Sequence, residues 1–291
     1  MKRILLAFLL LGAALRAEAV DWTDIWYNFD QQGYGYNLVQ SDSFIYATFY
    51  VYDPNGAPTW YGAGLRWDDV DSYSGKVYKA NGTFFGAPWN PANFVVTEAG
   101  TATFKPSAIN NYEGRFSYTI TNVGSVTNQP IQRQSLEPIA TGGSYVGGQS
   151  GEYTGCTDTA GNYSYIDRFD LEVTHLANGS ATFAFAYVGN LTCTLAGTYE
   201  QHGQYYLIPT ATYVCSDGLD TTAKMSEIKA TALGIEGRLF APSVGGGCAE
   251  GASFAAVLCP ADDPCGAAAA TLTPTAKPAA PQTRRAARPA G

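Results

Sequence analysis

Few residues of this 291-residue chain could do chemistry: two histidines, six cysteines and two short runs of carboxylates. Serine hydrolysis needs an activated nucleophile, and no Gly-x-Ser-x-Gly occurs. His175 follows Val173 on the apolar face of an alternating segment, beside a turn, where an imidazole packs at a rim. His202 sits in the turn Gln201-His202-Gly203-Gln204 and is expected to be solvated. There is no His-Glu-x-x-His and no phosphate-cradling glycine loop before a helix. Asp68, Asp69 and Asp71 are hard oxygen donors close enough to hold calcium. Their spacing is not that of a recognised calcium loop, and aspartate is an ordinary turn residue, so a turn is expected. Asp167, Asp170 and Glu172 could supply the facing carboxyl pair of a glycosidase. Asp170 and Glu172, however, share the wet face of one strand, a geometry that reads as solubility. No catalytic residue, metal ligand or cofactor is assigned.

The cysteines read as disulfides. All six lie after residue 155, whereas all five tryptophans lie before residue 90. A metal site fails on spacing, because there is no Cys-x-x-Cys and too few histidines. Cys259 and Cys265 flank a compact Pro-Ala-Asp-Asp-Pro loop, and Cys193 and Cys215 are symmetric about the turn at 201–204. Cys156 and Cys248 then remain, near the two ends of the second domain. Closing that long loop restricts the unfolded chain by on the order of 4 kcal/mol in the chain-entropy model.

Two segments carry large rings on both faces. In Phe44 to Tyr52, Phe44, Tyr46, Tyr50 and Tyr52 point one way and Ile45, Phe49 and Val51 the other. One face fills a core; the second needs another explanation. Tyrosine and tryptophan combine apolar area with a polar tip and can stack on sugar rings or flat apolar ligands. The expected ligand-binding set is Tyr36, Asn37, Tyr46, Tyr50, Trp60, Tyr61, Arg66 and Trp67, around a cavity lined by Tyr36, Tyr46, Tyr50 and Trp60. The competing explanation is that these rings fill a small barrel.

The elements that position these residues are strands. Asp53-Pro54-Asn55-Gly56 is a turn signal between Phe44–Tyr52 and a returning strand from Thr59 to Trp67. Further strands are expected near 34–41, 73–79, 101–105, 115–121 and 126–134. In the back half Phe169, Leu171 and Val173 alternate with polar residues, and Asn178-Gly179 turns the chain. Phe183, Phe185 and Tyr187 continue the apolar face, Leu191, Cys193 and Leu195 form a third strand, and 205–215 a fourth. Two or three more fit before residue 257. No helical period is sustained. The expectation is an all-β chain of two tandem antiparallel meanders, as small up-and-down barrels, with sandwiches as the alternative. The segments are a leader (1–19), an aromatic-rich domain (20–137), a cysteine-rich domain (138–260) and a disordered Ala/Pro-rich basic tail (261–291). The central boundary is placed at Glu137-Pro138 and Thr141-Gly142-Gly143-Ser144.

Lys2, Arg3, the apolar run Ile4 to Leu15 and Ala17-Glu18-Ala19 form a secretory signal, with cleavage expected after Ala19. The run is too short to span a bilayer. A short, alanine-rich leader points to a bacterium, and so to the periplasm or medium. Without the leader's Lys2, Arg3, Arg16 and Glu18, the 17 basic and 25 acidic residues become 14 and 24. Setting aside the tail's Lys277, Arg284, Arg285 and Arg288 leaves 10 basic against 24 acidic. A body so acidic repels phosphate backbones, so nucleic acid is excluded as a partner. The basic tail is free to contact an anionic cell surface.

The stretch Trp26 to Gln40, with Gly33-Tyr34-Gly35-Tyr36-Asn37, then Tyr46-Ala47-Thr48, Gly56, Pro58-Thr59-Trp60 and Gln132-Arg133-Gln134, resembles a repeated secreted domain of proteobacteria. That domain has the pattern Gly-Trp-Gly-x-Asn, Phe-Ala-Thr, Gly-x-Pro-x-Trp; here Tyr34 and Tyr46 replace its Trp and Phe. The back half, with Cys193, Cys215, Gly237-Arg238 and Cys248, is similar to a cysteine-containing domain of the same kind of exported protein. The resemblance covers about residues 22–136 in the front half. It implies fold and export, and no catalytic residue, since no activity is established for that family.

These readings converge on an exported, non-enzymatic binding module whose partner is an envelope glycan or a small apolar ligand. A carboxylate-dependent hydrolase of an envelope polymer and a self-associating structural protein are the alternatives.

Overall fold

The computed structural model describes residues 20–260 and Cys265. The expected leader and nearly all of the expected tail lie outside the described residues. The chain divides into two compact units between Ile131 and Gln132.

The first unit is a closed antiparallel barrel of eight consecutive strands. They are β1 (Asp24–Asn28), β2 (Gln31–Ser41), β3 (Phe44–Tyr52), β4 (Pro58–Trp67), β5 (Tyr73–Asn81), β6 (Val95–Pro106), β7 (Glu113–Ile120) and β8 (Gly124–Arg133). Alternation sets its wall. On β3, Ile45, Ala47 and Phe49 are buried while Tyr46, Tyr50 and Tyr52 are exposed. Asp53 Oδ1 accepts from the backbone N–H groups of Asn55 and Ala57 and closes the β3–β4 turn, where Gly56 takes a φ of 79°. The interior is filled by rings: Tyr36 lies 4.4 Å from Phe116, Phe49 stacks on Tyr61 at 5.6 Å, and Trp26 meets Phe104 edge-on at 5.4 Å. Eight strands enclose an interior just wide enough for side chains to fill.

The second unit closes the same way. Its strands are β9 (Gly143–Thr154), β10 (Tyr163–His175), β11 (Ser180–Tyr187), β12 (Thr192–Thr198), β13 (Glu200–His202), β14 (Tyr205–Cys215), β15 (Asp220–Ala230), β16 (Gly234–Ala241) and β17 (Ala249–Leu258). β17 pairs with β9, and β12 pairs with β14, which completes an eight-stranded ring with the short β13 hairpinned onto β14. The fold is thus two barrels in tandem, not two sandwiches. The glycine-rich stretch at the central boundary is partly a strand, since β9 begins at Gly143. Its glycines allow close approach: a Cβ at Gly147 would come within 2.2 Å of the Ala255 carbonyl oxygen.

Disulfides join Cys156 to Cys248, Cys193 to Cys215 and Cys259 to Cys265, the pairs expected from spacing. Cys193 and Cys215 are direct cross-strand partners on β12 and β14. All three lie in the second unit and fit an oxidising, exported environment. Among the described residues, no helix is long and apolar enough to cross a membrane.

Candidate functional site

The barrel wall splits the expected ligand-binding set. Across β2, β3 and β4, one rung holds Tyr36, Phe49 and Tyr61 in register. These face inward, and Tyr36 is only 1% exposed. The adjacent rung holds Gly35, Tyr50 and Trp60, and it faces out. One step along a strand changes the face, so Trp60 and Tyr61 cannot share a site. Tyr36, Tyr61 and Trp67 are therefore corrections to the expected cluster. The first two are core, and Trp67 is half-buried against Tyr73 at 5.0 Å. The expected cavity among Tyr36, Tyr46, Tyr50 and Trp60 does not form, because the last three lie on the outside of the barrel.

What remains is an outer aromatic face. Tyr50 and Trp60 are direct cross-strand neighbours, 55% and 47% exposed. Glycines flatten the surface beside them. The Tyr46 ring lies over Gly62, where a Cβ would come within 2.5 Å of its hydroxyl. The Phe44 ring lies over Gly64, and the Arg66 guanidinium sits 5.6 Å from the Phe44 ring centre. Exposed Tyr78 is the β5 partner of Gly62, and exposed Asn37 is the β2 partner of Thr48. The face thus combines open ring surfaces with phenol, amide and guanidinium donors. Two of the glycines in the Gly-x-Gly motif have backbone reasons. Gly33 has a φ of 100°, and a Cβ at Gly35 would come within 2.8 Å of the Trp26 carbonyl oxygen.

One end of the first barrel is polar inside. The Tyr36 hydroxyl donates to Gln129 Oε1, and Gln129 Nε2 donates to Gln31 Oε1 at 2.8 Å and to the Tyr34 hydroxyl. Burial, reinforced by Tyr118 and Tyr34 nearby, pushes the Tyr36 phenol far above its ordinary pKa. At the same end an open cleft of about 390 Å³ is lined by Tyr61, Lys79, Thr97, Glu98, Ala99 and Ile120 among others. Of the expected site residues only Tyr61 reaches it.

The acidic candidates are accounted for locally. Asp68 Oδ1 accepts the backbone N–H groups of Val70, Asp71 and Ser72, each at 3.0 Å, and Oδ2 accepts the Ser72 hydroxyl at 2.6 Å. The Ser72 hydroxyl, followed by these backbone donors, holds the Asp68 carboxyl well below the usual carboxylate range. Asp71 pairs with Lys105, and Asp69 sits at a φ of 62°, a turn conformation. The turn expected there is the one observed. On β10, Asp170 and Glu172 are off the core, and Glu172 accepts the Ser144 hydroxyl.

Sequence reasoning missed a carboxylate. Glu250 on β17 is fully buried inside the second barrel. It accepts the Tyr165 hydroxyl on Oε1 and the Tyr213 hydroxyl on Oε2 at 3.3 Å. Gln149 Nε2 donates to the Tyr165 hydroxyl at 2.8 Å, and the Tyr187 hydroxyl donates to Gln149 Oε1 at 2.9 Å. Buried Asp167 is the direct cross-strand partner of Gln149. The phase of β17 could have shown it, because Glu250 shares the face of Ala252, Phe254 and Ala256. The enclosed network reads as structure, since buried polar groups persist when bonded to one another. His175 packs against Tyr199 at 4.7 Å with Nδ1 3.2 Å from the Thr141 hydroxyl, and burial lowers its pKa. It is the rim histidine expected. His202 is half-buried and 3.7 Å from Glu200, not simply solvated.

Also missed was the connection 82–94 between β5 and β6, which presents Phe84, Phe85, Trp89 and Phe94 to solvent. The signal was in the sequence: four large rings without the alternation of a strand. No protein-family model matches the chain, and no curated protein matches it.

Proposed function

We propose that this chain is an exported, non-enzymatic binding module that takes a glycan on the outer face of its first barrel. The observation that carries the reading is the Tyr50–Trp60 pair. Two large residues are direct cross-strand neighbours on the barrel wall, about half-exposed, with the hydroxyl end of Tyr46 over Gly62 beside them. Sugar rings stack on such faces, and Asn37, Arg66 and the phenol hydroxyls supply directional bonds. An apolar small molecule finds less support, because these rings do not enclose a cavity.

A hydrolase finds less support too. Asp68 is held in its turn, Asp71 in an ion pair, and Glu250 and Asp167 are enclosed where a polymer does not reach. If envelope-polymer hydrolysis were detected, unchanged turnover in Asp68, Asp69, Asp170 and Glu172 variants would remove the carboxylate reading. The finer compartment is the periplasm or medium, reached through a leader cleaved after Ala19; the three disulfides support export. The test is tryptophan fluorescence of the full oxidised chain, titrated with chito-, malto- and cello-hexasaccharides. A saturable change lost on Trp60→Ala supports the reading. Silence across the panel, or a change that Trp60→Ala leaves intact, counts against it.

A further inference from the structure

A second aromatic surface has a different chemistry. The segment Asn81–Thr97 contains no charged residue, in a chain with 25 acidic and 17 basic ones. Within it Phe85 is 96% exposed, Phe84 66% and Trp89 65%. The loop is built, not loose. Thr83 Oγ1 donates to the Asn90 carbonyl and accepts the Asn90 N–H, both at 3.0 Å. Asn90 Oδ1 accepts the Ala92 N–H, and the Ala87 N–H donates to the Phe84 carbonyl. The Phe84 and Phe85 rings pair at 4.7 Å, and Trp89 and Phe94 at 6.2 Å. Thr83 and Asn90 are thus bonded within the loop, and its largest exposed side chains are hydrocarbon rings.

The topology adds a second observation. In an up-and-down barrel alternate connections come to one end. The connection 82–94 therefore shares its end with the turns 29–30, 53–57 and 121–123. Exposed Phe29 and Val123 stand on two of these. Asp53, on the third, has its carboxylate turned to its own backbone, chiefly the Ala57 N–H, which lowers its pKa. Asp30 is the other acidic residue on these turns. The connection 82–94 is the longest of the four in sequence.

We propose that this end of the first barrel docks on a zwitterionic phospholipid bilayer, with Phe84, Phe85, Trp89 and Phe94 entering the interface. Three observations select lipid over other occupants. The rings are phenylalanine and tryptophan, without the phenol tips of the outer face. Thr83 and Asn90 are bonded within the loop and the segment carries no charge, which gives a sugar or a polar protein surface little to grip. The apolar tips stand on several turns at one end, which suits a flat partner. With no lysine or arginine in the loop and an acidic chain, the attachment is hydrophobic and not electrostatic.

The test is flotation of the full oxidised chain with phosphatidylcholine vesicles, some with brominated acyl chains that quench tryptophan. The proposal expects partition that persists in high salt and quenching that Trp89→Phe largely removes. It expects Phe84→Asp/Phe85→Asp to weaken partition by about tenfold or more, since an exposed apolar ring is replaced by a charge. Circular dichroism should be unchanged in both variants, which separates lost docking from lost folding. Failure to float, partition that requires anionic lipid and disappears in salt, or full partition by the double variant would overturn it. So would sedimentation showing a dimer that the double variant converts to monomer, because the loop would then meet a second copy.

Discussion

The two barrels share a strand count and differ in where they keep their aromatic rings. In the second, Tyr145, Tyr153, Tyr165, Tyr187, Tyr199, Tyr205, Tyr206 and Tyr213 are all buried, and Phe240 is its exposed large ring. In the first, Tyr46, Tyr50, Tyr52, Trp60 and Tyr78 stand outside, and Phe84, Phe85, Trp89 and Phe94 crown one end. If outward rings served only strand propensity, both barrels would carry them. The second barrel makes its strands with threonine, serine, aliphatic and charged residues on the outer wall, among them Ile166, Arg168, Glu172, Val214 and Val257, so the rings on the first are not needed for the fold. Stability differs in the same sense. The first barrel is filled by rings and aliphatic side chains with the Gln129 amide at one end, while the second places the carboxylates of Glu250 and Asp167 and the Gln149 amide in its interior and adds three disulfides. Two of those bridges, Cys156–Cys248 and Cys193–Cys215, sit toward the end where Glu250 and Tyr213 lie.

The largest effect should come from the filled interior. Phe49→Ala removes a ring enclosed by Tyr36, Tyr61 and Phe116 and should cost about 3–5 kcal/mol. Thermal unfolding followed by tryptophan fluorescence reads the first barrel selectively, because all five tryptophans lie there. The same probe sharpens the comparison for the bridges. Cys156→Ala/Cys248→Ala opens a 92-residue separation and should destabilise the second barrel by on the order of 4 kcal/mol. The tryptophan transition should stay in place while the far-ultraviolet dichroism transition of the second barrel moves; a matching shift in both would mean the barrels do not unfold separately. Next is Glu250→Ala, which removes the carboxylate acceptor of two buried phenol hydroxyls and should cost about 2–3 kcal/mol, with Glu250→Gln milder. Calorimetry of the second transition would check it, and a neutral Glu250→Ala would mean that the network is not structural.

Smaller still is the stability effect of the outer face. Tyr50→Ala and Trp60→Ala should each change stability by at most about 1 kcal/mol, as cross-strand surface pairs do. The contrast between Phe49 and its neighbour Tyr50 tests the phase of the wall. The smallest effect is a pH dependence. Burial lowers the His175 pKa, so the folded state prefers the neutral ring. Its contribution is complete above the unfolded value near 6.5 and declines as pH falls through that value toward the folded one. His175→Gln should flatten the stability profile of the second barrel in that window and leave the first unchanged.

Much of this was legible in period-two alternation. Phe44–Tyr52, the Asn178-Gly179 hairpin and the symmetry of Cys193 and Cys215 each follow from pattern and turn chemistry alone. Other parts were masked for physical reasons. When both faces of a strand are aromatic, alternation separates the faces without saying which is core. Register then decides it, setting Tyr36 beside Phe49 and Gly35 beside Tyr50. The glycine-rich start of β9 has the composition of a linker, yet its glycines let neighbouring strands approach. The phase of β17 places Glu250 on the inner face, but the phenols that satisfy it come from positions far along the chain, so its burial is not explained by any local pattern. The loop 82–94 lacks period, so alternation is silent on it, although its freedom from charge is plain in the sequence.

The most direct measurement is a hexasaccharide titration of wild type beside Tyr50→Ala/Trp60→Ala and Gly62→Val, read by calorimetry. The account predicts that at least one sugar binds the wild type saturably. The double variant should bind about tenfold or more weakly, and Gly62→Val, which forces the Tyr46 ring off its seat, should be weakened as well, with the thermal midpoint of the double variant nearly unchanged. Equal binding by the wild type and the double variant, or no heat from any sugar, would contradict it.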